Sequence, residues 1–169
     1  MTDNHKPKGE ELPPSAQFKA FLQTRNSLML ATLDSDGMPL ASYAPCYCDQ
    51  ESFFVFLSEL APHTAPLLKG GALSILLIED EAQCNNPFRR VRLSCQARVQ
   101  PIVRESEHWA PLIAQLQQRL GKTVQLLKQL GDFHLFRITP THGTFVSGFG
   151  HAYRVQGLDS QSLEAISGR

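Results

Sequence analysis

The sequence predicts a mainly β domain with peripheral helices, of the α+β kind, its strands curled into an antiparallel barrel or tightly bent sheet. Three observations carry that expectation. Five apolar runs of strand length lie between positions 28 and 99, each ended by turn-forming residues. An Asp-Gly pair, Asp36-Gly37, separates the first two, and glycine there supplies the positive φ of a tight hairpin. Beyond a short stretch near the start, only after position 108 does the apolar spacing lengthen to that of a helix. A chain of 169 residues fits one domain, and short strands of this number close most economically into a barrel.

Taken in order, residues 1–14 carry charge and prolines but little apolar mass, and are expected to form a mobile arm. Ser15 is placed to cap a short helix whose Phe18, Phe21 and Leu22 share a face; Asn26-Ser27 closes it. Leu28–Leu33 and about Pro39–Tyr47 make the hairpin, and Asp49–Ser52 turns into a third strand, Phe53–Leu57. Leu60–Lys69 is a short helix or irregular crossing ended by Gly70-Gly71, followed by a buried strand, Ala72–Ile78. The acidic run Glu79-Asp80-Glu81 and Asn85-Asn86-Pro87 mark a loop. A fifth strand then runs over Arg89–Val99 with Val91, Leu93, Cys95 and Ala97 on one face.

Trp109, Leu112, Ile113, Leu116 and Leu120 fall on one side of an amphipathic helix that Gly121 breaks, and Thr123–Gln129 forms a second short helix. Phe133–Ile138 alternates as a sixth strand; Thr139–Gly143 is read as a turn leading into Thr144-Phe145-Val146, and Ala152–Val155 ends the ordered part. The barrel domain thus covers 15–157, and 158–169 is a polar tail too short to add much core.

Sixteen basic and sixteen acidic residues cancel, which argues against a dedicated nucleic-acid binder and leaves little repulsion to prevent self-association. The first residues show no signal-peptide pattern, and no apolar run approaches the roughly 18 residues of a membrane span. The expected compartment is the cytoplasm, where Cys46, Cys48, Cys84 and Cys95 stay reduced; none has C-x-x-C spacing.

The densest basic cluster is Arg89-Arg90-Val91-Arg92. On a strand, Arg90 and Arg92 share a face about 6–7 Å apart, a spacing that lets two guanidiniums grip carboxylates or a phosphate. Charge protecting an edge strand is the competing account. His63, between Pro62 and Thr64, and His151, after Gly148-Phe149-Gly150, are candidates for ligating haem iron or another metal and for moving protons near neutral pH. A single histidine is more often only a surface or packing residue, which is the competing account of each. Asp132, where a helix hands over to a strand, is suited to orient a histidine or a bound water, or simply to end the helix. Unaided, the residues give a β-rich barrel with an anion-binding face.

Leu30-Ala31-Thr32-Leu33 followed by Asp36-Gly37-Met38-Pro39 resembles the opening of the pyridoxamine-5′-phosphate-oxidase-like, FMN-binding split barrels. Ser42-Tyr43-Ala44-Pro45, Ile78-Glu79-Asp80-Glu81, Arg92-Leu93, Asp132-Phe133-His134-Leu135-Phe136 and the run Phe145–Tyr153 resemble, more narrowly, its haem-utilisation HugZ/HutZ branch. The resemblance spans about Phe18 to Gly157. It implies a six-stranded antiparallel split β-barrel, homodimeric, with haem held at the subunit interface and, in some members, oxidative opening of the porphyrin to release iron. Carried across, Arg92 becomes a propionate or interface contact, Asp132 the partner of a histidine across the dimer, and His63 a pocket residue.

Two departures matter. Where flavin-binding relatives place an Arg-Asn pair after the histidine, this chain has Ala65-Pro66, so a flavin phosphate loses a clamp whereas haem propionates keep Arg90 and Arg92. The axial histidine usual in the family's tail has no counterpart in Leu163–Arg169. The expectation is haem binding weakened or carried by His151 or His63, with an FMN oxidoreductase and a non-catalytic haem storage protein as the alternatives.

Overall fold

Every residue of the run Phe53–Leu57 is buried, and that double burial identifies the strand that closes the molecule. In the computed structural model, which describes residues 12–167, Phe53, Val55 and Leu57 enter the main core with Leu30, Cys46, Leu93 and Phe136. Their neighbours Phe54 and Phe56 point the other way, into a smaller core with Ile113, Leu116, Val124 and Leu135.

The elements run α1 (Pro14–Thr24), β1 (Ser27–Leu33), β2 (Pro39–Cys48), β3 (Phe53–Ser58), α2 (Thr64–Leu68), β4 (Leu73–Ile78), β5 (Arg92–Ile102), α3 (Trp109–Leu120), α4 (Thr123–Leu127), β6 (Phe133–Gly148), β7 (His151–Gln156) and β8 (Glu164–Ala165). The strands lie in the order β3-β2-β1-β4-β5-β6-β7-β8, and β3 also pairs with β6. That second pairing, from Phe53 opposite Ile138 to Ser58 opposite Phe133, closes β1–β6 into a six-stranded antiparallel barrel. β7 and β8 extend the sheet from the far half of β6.

The Asp34–Gly37 hairpin forms as expected: Asp34 Oδ1 accepts from the amides of Asp36 (2.9 Å) and Met38 (2.8 Å), and Gly37 has φ +77°. α1 starts one residue earlier than the expected Ser15 cap. Pro14 sits in its first turn, where a missing N–H costs nothing, and Ser15 lies inside the helix. Most of the predicted arm, residues 1–11, lies outside the described residues. The Phe18 ring meets Phe145 edge-on, 5.0 Å between centroids, which docks α1 on the core.

The predicted turn over Thr139–Gly143 is instead continuous strand: β6 runs 16 residues. A bulge there puts Pro140 opposite Ala97 and His142 opposite Gln96, leaving Thr141 without an opposite residue. Proline, which has no N–H to donate, is tolerated at such a point. Gly143 is required by proximity. A Cβ there would collide with the Ser94 carbonyl and stand 2.5 Å from Cys95 Sγ. The tail also departs from expectation, because Leu158 and Ser160 are buried, Leu163 packs on the core and β8 pairs with β7.

Candidate functional site

β6 carries a cluster of polar side chains at each end. At its start, Ser58 closes β3 opposite Phe133. The Ser58 hydroxyl donates to Asp132 Oδ2 (2.6 Å) and accepts from the Leu60 amide (3.1 Å). The Glu59 amide donates to the Asp132 carbonyl (2.9 Å), and Glu59 Oε1 lies 2.6 Å from His134 Nε2. Thr64 Oγ1 donates to the Ser58 carbonyl (2.7 Å), which ties α2 to the same corner.

His63, just before α2, is 5 % exposed, and among the described residues neither ring nitrogen has a hydrogen-bond partner. Burial holds its pKa below the usual 6.5, so the ring is neutral. A neutral imidazole is the form that ligates iron, yet both nitrogens are enclosed. Ligation by His63 requires the ring to turn out of its seat.

At the other end of β6, Arg92 lies opposite Val146, Val146 lies opposite Ala152, and the adjoining His151 is exposed opposite Gly148. Arg92 and His151 therefore share one end of β5, β6 and β7. Arg92 Nη1 donates to the Arg90 carbonyl (2.9 Å), and among the described residues no carboxylate lies within 4 Å of its guanidinium.

Arg90 corrects the expectation. The chain turns through a short 3₁₀ segment, Pro87–Arg89, so β5 begins at Arg92 and the two arginines do not share a strand face. Arg90 instead folds back on the loop, donating to the Glu79 carbonyl from Nε (3.1 Å) and Nη2 (2.5 Å), with Glu81 at 3.5 Å. It clasps the loop that precedes Arg92.

The structure thus places Arg92 and His151 at one end of β5, β6 and β7, and joins Asp132 with Ser58, Glu59, His134 and the His63 segment, but keeps these two groups apart. From Asp132 to Val146 the chain advances 14 residues along β6, on the order of 45 Å if straight. Ser58 and Glu59 escape sequence reading because they lie more than 70 positions from Asp132; only strand register brings them together. Among the described residues no group of three His, Cys, Asp or Glu side chains is arranged to hold a metal ion.

The segment expected to hold a flavin phosphate does not fit one. Thr64 is fully buried with its hydroxyl committed to Ser58, and Ala65 and Pro66 offer no side-chain donor. Among the described residues, the cleft of about 540 Å³ beside α2 has Lys69 as the sole cation on its walls, with Asp34 also lining it.

Residues 14–147 match the family model described as pyridoxamine 5′-phosphate oxidase. Over 143 residues the chain is 44 % identical to the heme oxygenase HutZ of Vibrio cholerae serotype O1, covering 85 % of this chain and 81 % of that protein. A crystal structure of HutZ from Vibrio cholerae, there called a heme storage protein, superposes with a TM-score of 0.73 at 39 % identity, over 80 % of this chain and 95 % of the other. Campylobacter jejuni ChuZ superposes with a TM-score of 0.81 at 24 % identity, over 95 % of this chain and 65 % of that one, a likeness of fold.

Proposed function

Since the chain belongs to the pyridoxamine 5′-phosphate oxidase family, we propose that it serves haem-iron utilisation, binding haem between two copies of itself and opening the porphyrin oxidatively to release iron. The observation that carries this reading is the 44 % identity to a heme oxygenase across most of both chains. The ring opening consumes dioxygen and electrons from an external reductant.

The residues of this chain support distinct parts of that task. Arg92, half-buried and without a carboxylate partner among the described residues, is suited to a haem propionate or a developing negative charge. His151, exposed at the same end, is the available iron ligand, and His63 the one that must first turn outward. Asp132 is suited to accept a ring N–H of a ligating histidine from the second copy, which fixes the tautomer and strengthens the donor. Such a composite site accounts for polar groups that one chain places at opposite ends of β6. A homodimer is further supported by the apolar outer face of β1 and β2, where Met29 lies opposite Tyr43 and Leu33 opposite Pro39, all exposed.

The flavin alternative lacks a phosphate clamp in the Thr64–Pro66 segment. The storage alternative has a specific observation behind it, the description of the Vibrio structure. No helix of the described residues is long and apolar enough to cross a membrane. The cytoplasm is the compartment we propose, one in which the four free thiols stay reduced.

Hemin titration followed by ascorbate under catalase tests the reading. The expected outcome is a stoichiometric Soret band, weakened in Arg92→Ala and His151→Ala, that decays to ring-opened product. A stable band establishes storage instead, and no hemin-dependent band, with FMN fluorescence quenched, establishes the flavin alternative.

A further inference from the structure

We propose that Ser58 is a positioning residue of this site: its hydroxyl holds one oxygen of Asp132 and leaves the other as the acceptor offered to a ligating imidazole or a bound water. The inference rests on the haem reading above.

A serine hydroxyl has one proton and two lone pairs. The Leu60 amide already donates to Ser58 Oγ at 3.1 Å, which leaves one lone pair and the single proton. That proton points at Asp132 Oδ2, 2.6 Å away, a length typical of a hydroxyl on an ionised carboxylate. The main chain of Asp132 is held as well, by the Glu59 amide on its carbonyl at 2.9 Å. With both its backbone and one carboxylate oxygen fixed, the side chain cannot swing. Among the described residues Oδ1 takes no hydrogen bond.

A mere fastening of β3 to β6 does not need this arrangement. The backbone ladder from Phe53 to Ser58 and the Glu59–Asp132 bond already join the two strands. A half-buried carboxylate with one oxygen spent and one open is instead the pattern of an outer partner that orients a ligand. Ser58 is in turn located by Thr64 Oγ1 on its carbonyl at 2.7 Å, so the carboxylate, β3 and the segment bearing His63 share one frame.

The test compares full-length Ser58→Ala, Ser58→Thr, Asp132→Asn and the double variant, with hemin as the probe. Hemin transfer to apomyoglobin, the Soret position and thermal unfolding are the readouts; Ser58→Cys, similar in size with a feebler donor, replaces Ser58→Ala if that variant does not fold. The expected result is hemin loss about ten- to a hundredfold faster in Ser58→Ala, restored by Ser58→Thr, with the double variant no faster than Asp132→Asn alone. Additive losses in the double variant overturn the proposal, as does a Ser58→Ala protein that unfolds earlier yet holds hemin normally. If Asp132→Asn holds hemin like the parent, the proposal fails while the haem reading stands. If the parent protein itself gives no hemin band, both fail.

Discussion

Enclosing the His63 imidazole with neither nitrogen bonded costs stability, and the cost grows as pH falls. Its folded pKa lies below 6.5, so beneath that pH the unfolded chain takes up a proton that the folded chain refuses. Stability is therefore level above pH 6.5 with respect to this group and declines below it. His63→Leu is expected to raise unfolding free energy by about 1 kcal/mol at pH 7 and to flatten the acid limb, as measured by urea unfolding at pH 7 and pH 5; a loss at both would mean that the ring is bonded after all. The alkaline limb belongs to the thiols. Burial pushes Cys46 and Cys95 from 9.0 up to about 12, so between those values the unfolded chain ionises first and each thiol erodes stability by about 1.4 kcal/mol per pH unit. Cys46→Ala should make that slope shallower by about this amount, and unchanged slopes would contradict the burial.

At the scale of elements, Arg104 governs the α3–α4 lobe. Its guanidinium donates to the carbonyls of Lys128 (2.8 Å), Leu130 (2.8 Å) and Phe133 (2.9 Å) and lies 5.2 Å from the Trp109 ring. Arg104→Ala leaves three carbonyls without that donor, and amide hydrogen exchange over 121–133 is expected to accelerate about tenfold or more, with the barrel strands unaffected. The α3 helix itself was plain in the sequence because its apolar residues repeat at 3, 4 and 7, and the first hairpin because the Asp36-Gly37 pair has short-range turn chemistry. β6 was not plain. Thr-Pro-Thr-His-Gly has the composition of a turn, and what keeps it extended is contact with β5, 45 positions away. Gly143→Ala tests that account: the added methyl meets the Ser94 carbonyl and Cys95, and a loss of about 1–3 kcal/mol in chemical denaturation is expected, with no loss if the segment is a solvent turn.

For the whole molecule, the candidate residues were legible singly and their grouping was not. Arg92, His151, His63 and Asp132 stand out by type and motif, but their separation along β6 depends on a strand length that the sequence disguises. The pairing of Arg90 with Arg92 failed because Pro87 begins a 3₁₀ turn just before the strand. A single chain cannot bring Asp132 to the Arg92 end, so a composite site makes haem retention depend on assembly. The face that would mediate assembly is apolar yet exposed: Met29 (44 %), Leu33 (46 %) and Tyr43 (62 %), with Leu76 of β4 beside Met29. Because these side chains face outward, a charge placed there spares the folded chain and penalises only burial against a partner. On the proposed assembly, Met29→Glu is therefore expected to give a folded monomer by light scattering, with unchanged far-ultraviolet dichroism, that loses hemin at least about tenfold faster than the parent. A variant that stays dimeric would move the interface elsewhere on the barrel, and a monomer that keeps hemin as well as the parent would return the whole site to one chain, with Arg92 and His151 sufficient to hold it.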